Sequence, residues 1–296
     1  MKLIKPNFEI ITQNPNNDGM LKHIELCGRV CYKSEDKIKD NTAAIFVNGL
    51  IKSGHTSVLE HGTVYLYIKI YSRVVEKYER NKYSKVIINP RSKILEDCYI
   101  TTNYRVLVEN NWLDDLQYQC EPTEFHEKRV TVKFHTQIAI TREGNRHRVN
   151  SVTESSTRYC NYSKDKFGGE LTINCPDNIT EELLKKANPY SSIIAIKDDE
   201  YGTLYEKETY QWLDIDWWLW ANSCSELAYL KLIEKGWTAQ QARTILPLDT
   251  NTEVIYTAFI SDWKHFFELR TAKGAHVDIR NLAIPLEQEF KKLNLI

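Results

Sequence analysis

Apolar residues along this chain recur with two different periods, and the switches between them mark out its elements. Met20, Ile24, Cys27 and Cys31 stand at helical spacing and predict a helix over Gly19–Lys33. A second helix is expected from Asn41, a favourable N-cap, to Lys52, with Gly54 as its stop. Val64–Ile70 is rich in β-branched and aromatic residues and predicts a strand, and Asn103–Leu116 a helix. In Arg129–Ile140, Val130, Val132 and Phe134 alternate with Thr131, Lys133 and His135, the pattern of a strand with one buried face. After Pro176 the period turns helical. Asp216–Lys235 reads as a long aromatic-rich helix closed by Gly236, and Thr238 caps a short one, Ala239–Leu246, which Pro247 ends. Glu253–Phe259 reads as a strand, Ser261–Arg270 as a helix, and Ala275–Leu293 as a final helix interrupted near Pro285. Strands and helices mix without a regular βαβ alternation, so the expected class is α+β and not a Rossmann sheet.

Composition narrows the function more than the fold. The 296 residues admit one large or two ordinary domains, and 42% hydrophobic with 27% charged residues suits a soluble globular chain with a sizeable core. Lys+Arg at 39 against Asp+Glu at 40 leaves a net charge of −1, which argues against a protein that coats nucleic acid or an anionic membrane. A nucleotide-like ligand must therefore meet a local basic site. Apolar runs such as Ala43–Val47 are too short to span a bilayer, and Met1–Asn17 holds no signal-peptide apolar block. The seven scattered cysteines are odd in number and sparse, so reduced thiols and a cytoplasmic protein are expected.

The densest chemistry lies at Thr141–Tyr162. Arg142, Arg146, Arg148 and Arg158 outnumber Glu143 and Glu154 there, and Ser151, Thr153, Ser155, Ser156 and Thr157 lie between them. Guanidinium groups grip phosphate bidentately and stack on flat rings, and hydroxyls donate to phosphate oxygens. The composition suits a phosphorylated planar ligand, and a solvated surface loop is an even alternative on composition alone. His55-Thr56-Ser57-Val58-Leu59-Glu60-His61 offers hydroxyl, carboxylate and imidazole groups without zinc-protease spacing, so a polar ligand loop and a self-satisfied turn both remain open. His23, Cys27 and Cys31 span roughly 12 Å along one helical face, too far for one metal ion, and are read as core, with no metal expected. Trp212, Trp217, Trp218 and Trp220 are read as core or subunit interface.

Taken together, these clusters resemble the flavin-dependent thymidylate synthases. That family's signature, Arg-His-Arg, seven residues, then Ser, stands here as Arg146-His147-Arg148 followed by Val149 to Ser155 and Ser156, with Glu154 inside it and Arg158-Tyr159 after it. The upstream His-x4-Glu-His, the segment ARTILP at Ala242–Pro247 and the segment HFFELR at His265–Arg270 match in the family's order. The resemblance covers about Gly19 to Tyr71 and Arg129 to the C-terminus. It implies an antiparallel-rich sheet flanked by helices, in one catalytic domain. It also implies a homotetramer with shared active sites that binds FAD and dUMP and makes dTMP, with methylenetetrahydrofolate as carbon donor and NADPH as reductant. By position, Ser57, Glu60, Arg146, His147, Arg148, Glu154, His265 and His276 would meet the flavin. Glu143, Arg146, Glu154, Ser155, Ser156, Thr157, Arg158, Arg243 and Arg270 would hold dUMP, with Arg270 the catalytic arginine that favours ionisation of the uracil N3.

The physics of those roles is consistent. A permanent cation beside N3 stabilises the deprotonated pyrimidine. Ser156 has no His and Asp partners at readable spacing, and no cysteine sits in the Pro-Cys-His setting of the folate-only synthases, so no enzyme nucleophile is expected. Two departures from the family pattern stand out. His61 and Arg146 are separated by residues 62 to 145, which predicts an insertion at about 71–128. Gly144-Asn145 replaces a bulky apolar pair and predicts a short or frayed helix there. A nucleotide-binding regulator without turnover would need fewer of these groups together, and an RNA-binding protein would carry a basic excess that this chain lacks.

Overall fold

A computed structural model describes residues 1–69, 72–90, 96–164, 168–188 and 212–296. The first third holds β1 (Lys2–Ile4), β2 (Asn7–Ile11), α1 (Asn17–Val30), α2 (Ala43–Lys52) and β3 (Thr63–Ile68). Then come α3 (Arg73–Glu79), β4 (Lys85–Pro90), β5 (Glu96–Asn103), α4 (Tyr104–Glu109), β6 (Arg129–Gln137), α5 (Ile138–Gly144) and β7 (Ser151–Glu154). The remainder comprises β8 (Thr172–Asn174), α6 (Glu181–Lys186), α7 (Asp214–Glu234), α8 (Ala239–Ala242), β9 (Asn251–Phe259), α9 (Ile260–Arg270) and α10 (Val277–Lys292). The class is α+β.

The central sheet is antiparallel, in the order β2-β6-β9-β7, with Val132 opposite Tyr256 and Ser151 opposite Thr257. Its two faces differ in chemistry. Val130, Val132, Phe134, Val254, Tyr256 and Ala258 pack against Trp263, Phe266, Phe267, Ile279, Leu282 and Phe290 of α9 and α10. The opposite face presents Thr131, Thr257, Thr153 and Ile255, all buried, beneath α1 and the 3-10 turn Thr56–His61. The expectation that the 129–140 strand has one buried face is therefore corrected: both faces are covered, and the polar one is satisfied by hydrogen bonds. The strand also ends at Gln137, and α5 follows directly.

A second antiparallel sheet, β3-β5-β4, packs Leu66, Ile68, Cys98 and Ile100 with Met20, Ile24, Tyr78 and Leu107. The described part of segment 71–128 thus supplies two strands and core side chains. The expected strand Val64–Ile70 stops at Ile68; Ile70 and Tyr71 lie outside the described residues. The helix expected over Asn103–Leu116 is split. Asn111 adopts a left-handed φ of 58° after α4, and a 3-10 turn, Leu113–Tyr118, follows.

The cap of α2 is Thr42 and not Asn41, and Thr42 Oγ1 donates to Glu25 Oε2 at 2.9 Å. Pro285 does not interrupt α10: its ring faces solvent while Leu282, Ala283, Leu286 and Phe290 are buried and hold the helix through the missing hydrogen bond. Gly236, at φ 93°, ends α7, and Thr238 with Gln241 closes a capping box on α8. Among the described residues no helix is long and apolar enough to cross a membrane, and no group of three or more His, Cys, Asp or Glu is disposed to hold a metal ion.

Candidate active site

The Arg-His-Arg motif sits in a tight turn directly after α5, whose last residue is Gly144. A Cβ there would lie 2.3 Å from the Tyr256 hydroxyl, and that hydroxyl donates to Asn145 Oδ1 at 3.0 Å. Two turn hydrogen bonds, His147 N to the Gly144 carbonyl and Asn150 N to the His147 carbonyl, both 3.1 Å, lead the chain into β7. The seven-residue α5 agrees with the short helix expected from Gly144-Asn145.

Arg270, the last residue of α9, is buried at 8% exposure and reaches this turn. Its Nε donates to His147 Nε2 at 3.0 Å, Nη1 to Glu143 Oε2 at 2.7 Å and Nη2 to the Glu143 carbonyl at 2.6 Å. Arginine is only a donor, so His147 Nε2 is the acceptor and the neutral ring carries its proton on Nδ1. Burial, and then the Arg270, His265 and Arg146 charges, push the His147 imidazole down to about 4, so it is neutral at physiological pH. The His265 ring lies 5.9 Å and the Phe266 ring 5.0 Å from His147. Arg146 is exposed, 3.7 Å from Glu143, and Arg148 is exposed beside it.

Along β7 the signature residues alternate between the two faces of the sheet. Glu154 points to the α5 side, where its Oε1 accepts from Thr252 Oγ1 at 3.0 Å. Burial raises its carboxyl above the usual range against hydrogen bonds from Thr252, Thr141 and Asn145. Ser155 points to the other face. Its hydroxyl donates to the Glu253 carbonyl at 3.2 Å and accepts from Glu253 N at 2.9 Å. Ser155 lines a cavity of about 440 Å³ with Lys33, His135 and Glu253. Glu253 pairs there with Lys33 and, at 2.9 Å, with Lys133, cations that hold its carboxyl below the usual range despite burial.

Ser156, Thr157 and Arg158 then leave the sheet, fastened by Ser156 N to the Cys31 carbonyl at 2.9 Å. Arg158 Nε donates to Gln240 Oε1 at 3.2 Å and Arg243 Nη1 to Thr157 Oγ1 at 3.3 Å, which brings two exposed guanidinium groups from distant stretches to one short segment. Such a pair beside free-edge hydroxyls is suited to a phosphate.

The sequence-predicted residues thus fall into separate groups. Glu143, Arg146, His147, His265 and Arg270 meet, with Glu154 alongside. Ser156, Thr157, Arg158 and Arg243 form a second group. Ser57 is exposed on the 3-10 turn, where Glu60 Oε1 accepts from Arg105 Nη1 at 2.5 Å. His276 caps α10, its Nδ1 accepting from Asp278 N at 3.2 Å. Among the described residues, no hydrogen bond or ion pair joins Ser57, Glu60 or His276 to either group. Sequence reading did not single out Thr252, Glu253 or Tyr256. Their one signal was a Thr-Glu pair in a strand otherwise rich in apolar residues. Nor did it single out Arg129, whose buried guanidinium donates to the Glu60 carbonyl and to Ser151 Oγ at 2.9 and 2.8 Å.

Comparison with known proteins sets this geometry in a family. The family model described as "Thymidylate synthase complementing protein" (Thy1) matches residues 10–84 and 92–294. A probable flavin-dependent thymidylate synthase of Paramecium bursaria Chlorella virus 1 is 40% identical over 77 residues, 23% of this chain and 35% of that protein. The flavin-dependent thymidylate synthase of Thermosipho melanesiensis is 26% identical over 169 residues, 56% of this chain and 65% of that protein. A flavin-dependent thymidylate synthase of Thermus thermophilus is 30% identical over 168 residues, 55% of this chain and 53% of that protein. The chain thus spans roughly a third to two thirds of these relatives' length. The structure of a UMP/dUMP methylase, PolB, from Streptomyces cacaoi bound with 5-Br dUMP aligns over 99% of this chain and 93% of that one, at 17% identity and a TM-score of 0.43, too low to establish a shared fold. With the signature complete and the family model matching nearly the whole chain, the chain belongs to the Thy1, or thymidylate synthase complementing protein, family.

Proposed function

We propose that this protein methylates dUMP reductively to dTMP, with methylenetetrahydrofolate as carbon donor, FAD as hydride carrier and NADPH as reductant, and without a covalent enzyme nucleophile. The observation that carries the proposal is the buried Arg270, held by Glu143 and His147 at the end of the complete signature. A guanidinium locked by three hydrogen bonds costs no reorganisation when a charge develops near it, and two of its five N–H groups remain for a ligand. Beside uracil N3 it stabilises the ionised, electron-richer ring. Arg158 and Arg243 take the phosphate, with Ser156 and Thr157 donating beside them, and Glu154, its carboxyl pushed up by burial, lies on the α5 side.

The donor set also fits a flavin. Neutral His147 meets the His265 ring edge-on and the Phe266 ring at a tilt, and exposed Arg146 and Arg148 suit the flavin's diphosphate. Bound there, FAD would supply the hydride chemistry, and the protein orientation and charge. Among the described residues, no hydrogen bond or ion pair joins Ser57, Glu60 or His276 to these groups within one chain, or Arg158 and Arg243 to Arg270. That separation favours a homotetramer whose sites draw on several subunits around one catalytic domain. The odd, scattered set of seven cysteines favours reduced thiols and a cytoplasmic setting.

The test is dTMP formation from dUMP, methylenetetrahydrofolate and NADPH, with and without added FAD. Purified protein that takes up no FAD and forms no dTMP sinks the proposal. Arg270→Ala is expected to retain FAD and to lose at least about a hundredfold in turnover, the scale of a removed charge-stabilising donor. Unchanged turnover removes Arg270 from the catalytic role.

A further inference from the structure

Beneath α1 and the 3-10 turn Thr56–His61, an unbroken line of polar side chains crosses the interior. His23 Nε2 lies 3.0 Å from Thr131 Oγ1, and Thr131 Oγ1 lies 2.7 Å from Thr257 Oγ1. His61 follows, with Nδ1 2.7 Å from Thr257 Oγ1 and Nε2 2.9 Å from Thr153 Oγ1. None of the five is more than 4% exposed. We infer that this chain of hydrogen bonds is a positioning network that holds β7, and with it Glu154 to Arg158, in register on β9; the inference rests on the function proposed above for those residues.

Three observations support it. First, β7 has four residues and lies at the sheet edge, paired among the described residues with β9 alone, so its own ladder is short. A slip of one residue would exchange the faces of Glu154 and Ser155 and move the whole signature. Second, the line is directional at His61, which links Thr257 to Thr153. Neutral His61 has one donor and one acceptor, so it must accept from one threonine and donate to the other, and each hydroxyl can donate only once, so the proton on each member constrains its neighbours. Burial keeps both imidazoles neutral, His23 falling to about 4 and His61 well below its ordinary value. A row of valines would fill the same space without specifying a register. Third, Arg129 makes a parallel link, joining Ser151 at the start of β7 to the Glu60 carbonyl. Two ties thus couple the turn bearing Ser57 and Glu60 to the strand bearing Glu154.

Thr153 sits on the face opposite Glu154 and touches none of the proposed ligand groups, so its hydroxyl can be removed without altering them. In the full-length protein, Thr153→Val is expected to keep its FAD absorbance and a kcat within about twofold of the wild type. The KM for dUMP should rise about tenfold, the scale of one lost hydrogen bond. Amide hydrogen exchange should quicken at residues 151–157 and stay unchanged in β6. Thr153→Ser, which retains the hydroxyl, should restore both readouts. If Thr153→Val does not accumulate folded, the smaller Thr153→Ala, which also lacks the hydroxyl, carries the same comparison. Wild-type exchange and wild-type KM in the hydroxyl-free variant overturn the inference, as does a serine variant as impaired as the valine one. The exchange arm needs no turnover, so a wild-type protein that makes no dTMP defeats the functional proposal and leaves the network still to be judged by exchange.

Discussion

A methyl group on Gly144 would meet the Tyr256 hydroxyl at 2.3 Å, a distance real Cβ atoms do not tolerate. Tyr256 is 3% exposed, so its ring has nowhere to retreat. Gly144→Ala should therefore cost about 1–3 kcal/mol through overpacking, read as a lower urea midpoint. Tyr256→Phe, which removes the hydroxyl, should reduce that cost in the double variant. An additive double would deny the contact. At this scale the signature was legible, because Arg146, His147, Arg148 and Ser156 keep fixed spacing in one stretch. The anchoring of Arg270 was not. Glu143 and His147 lie more than a hundred positions upstream, and only the packing of α9 against the sheet brings the guanidinium to them.

At the scale of elements, long helices and the two central strands follow from periodicity, and short pieces do not. β1, β7 and β8 have too few residues for a pattern to emerge, and their pairing is settled by neighbours far away in sequence. The alternation in β6 shows a subtler limit. Alternating polarity looks the same whether the polar face meets water or a buried row of hydroxyls and imidazoles, since periodicity records polarity and not accessibility. The buried row has a measurable consequence. His23 titrates near 4 in the folded protein against 6.5 as a free group, so the unfolded chain binds a proton first as pH falls. Its contribution is full above 6.5 and is lost progressively down to about 4, roughly 3 kcal/mol from His23 alone. His61 and His147 act in the same direction. Urea unfolding should accordingly give lower stability at about pH 5 than at about pH 7, and His23→Asn should flatten the slope. A pH-independent midpoint across that window would contradict the neutral, buried histidines.

For the whole molecule, the separation of the Arg270 group from the Arg158–Arg243 group becomes a prediction about assembly. If a complete site takes one group from each of two subunits, Arg270→Ala and Arg158→Ala chains, each inactive alone, should recover activity when unfolded together and reassembled. Random mixing restores roughly a quarter of the sites. No recovery, with mixed oligomers shown to form, would mean that both groups serve one site within a chain.

The sequence by itself determined the chemistry: which residue types stand in the signature, that charge is concentrated there in a neutral chain, and which long segments coil or extend. These are local properties, written in spacing and side-chain type. The tertiary structure alone decided which face each signature residue takes, what pins Arg270, and that a line of threonines and histidines replaces apolar packing behind β7. Those depend on contacts between residues far apart in the chain, and on which polar groups lose access to water, a property that no stretch of sequence possesses until the chain has folded.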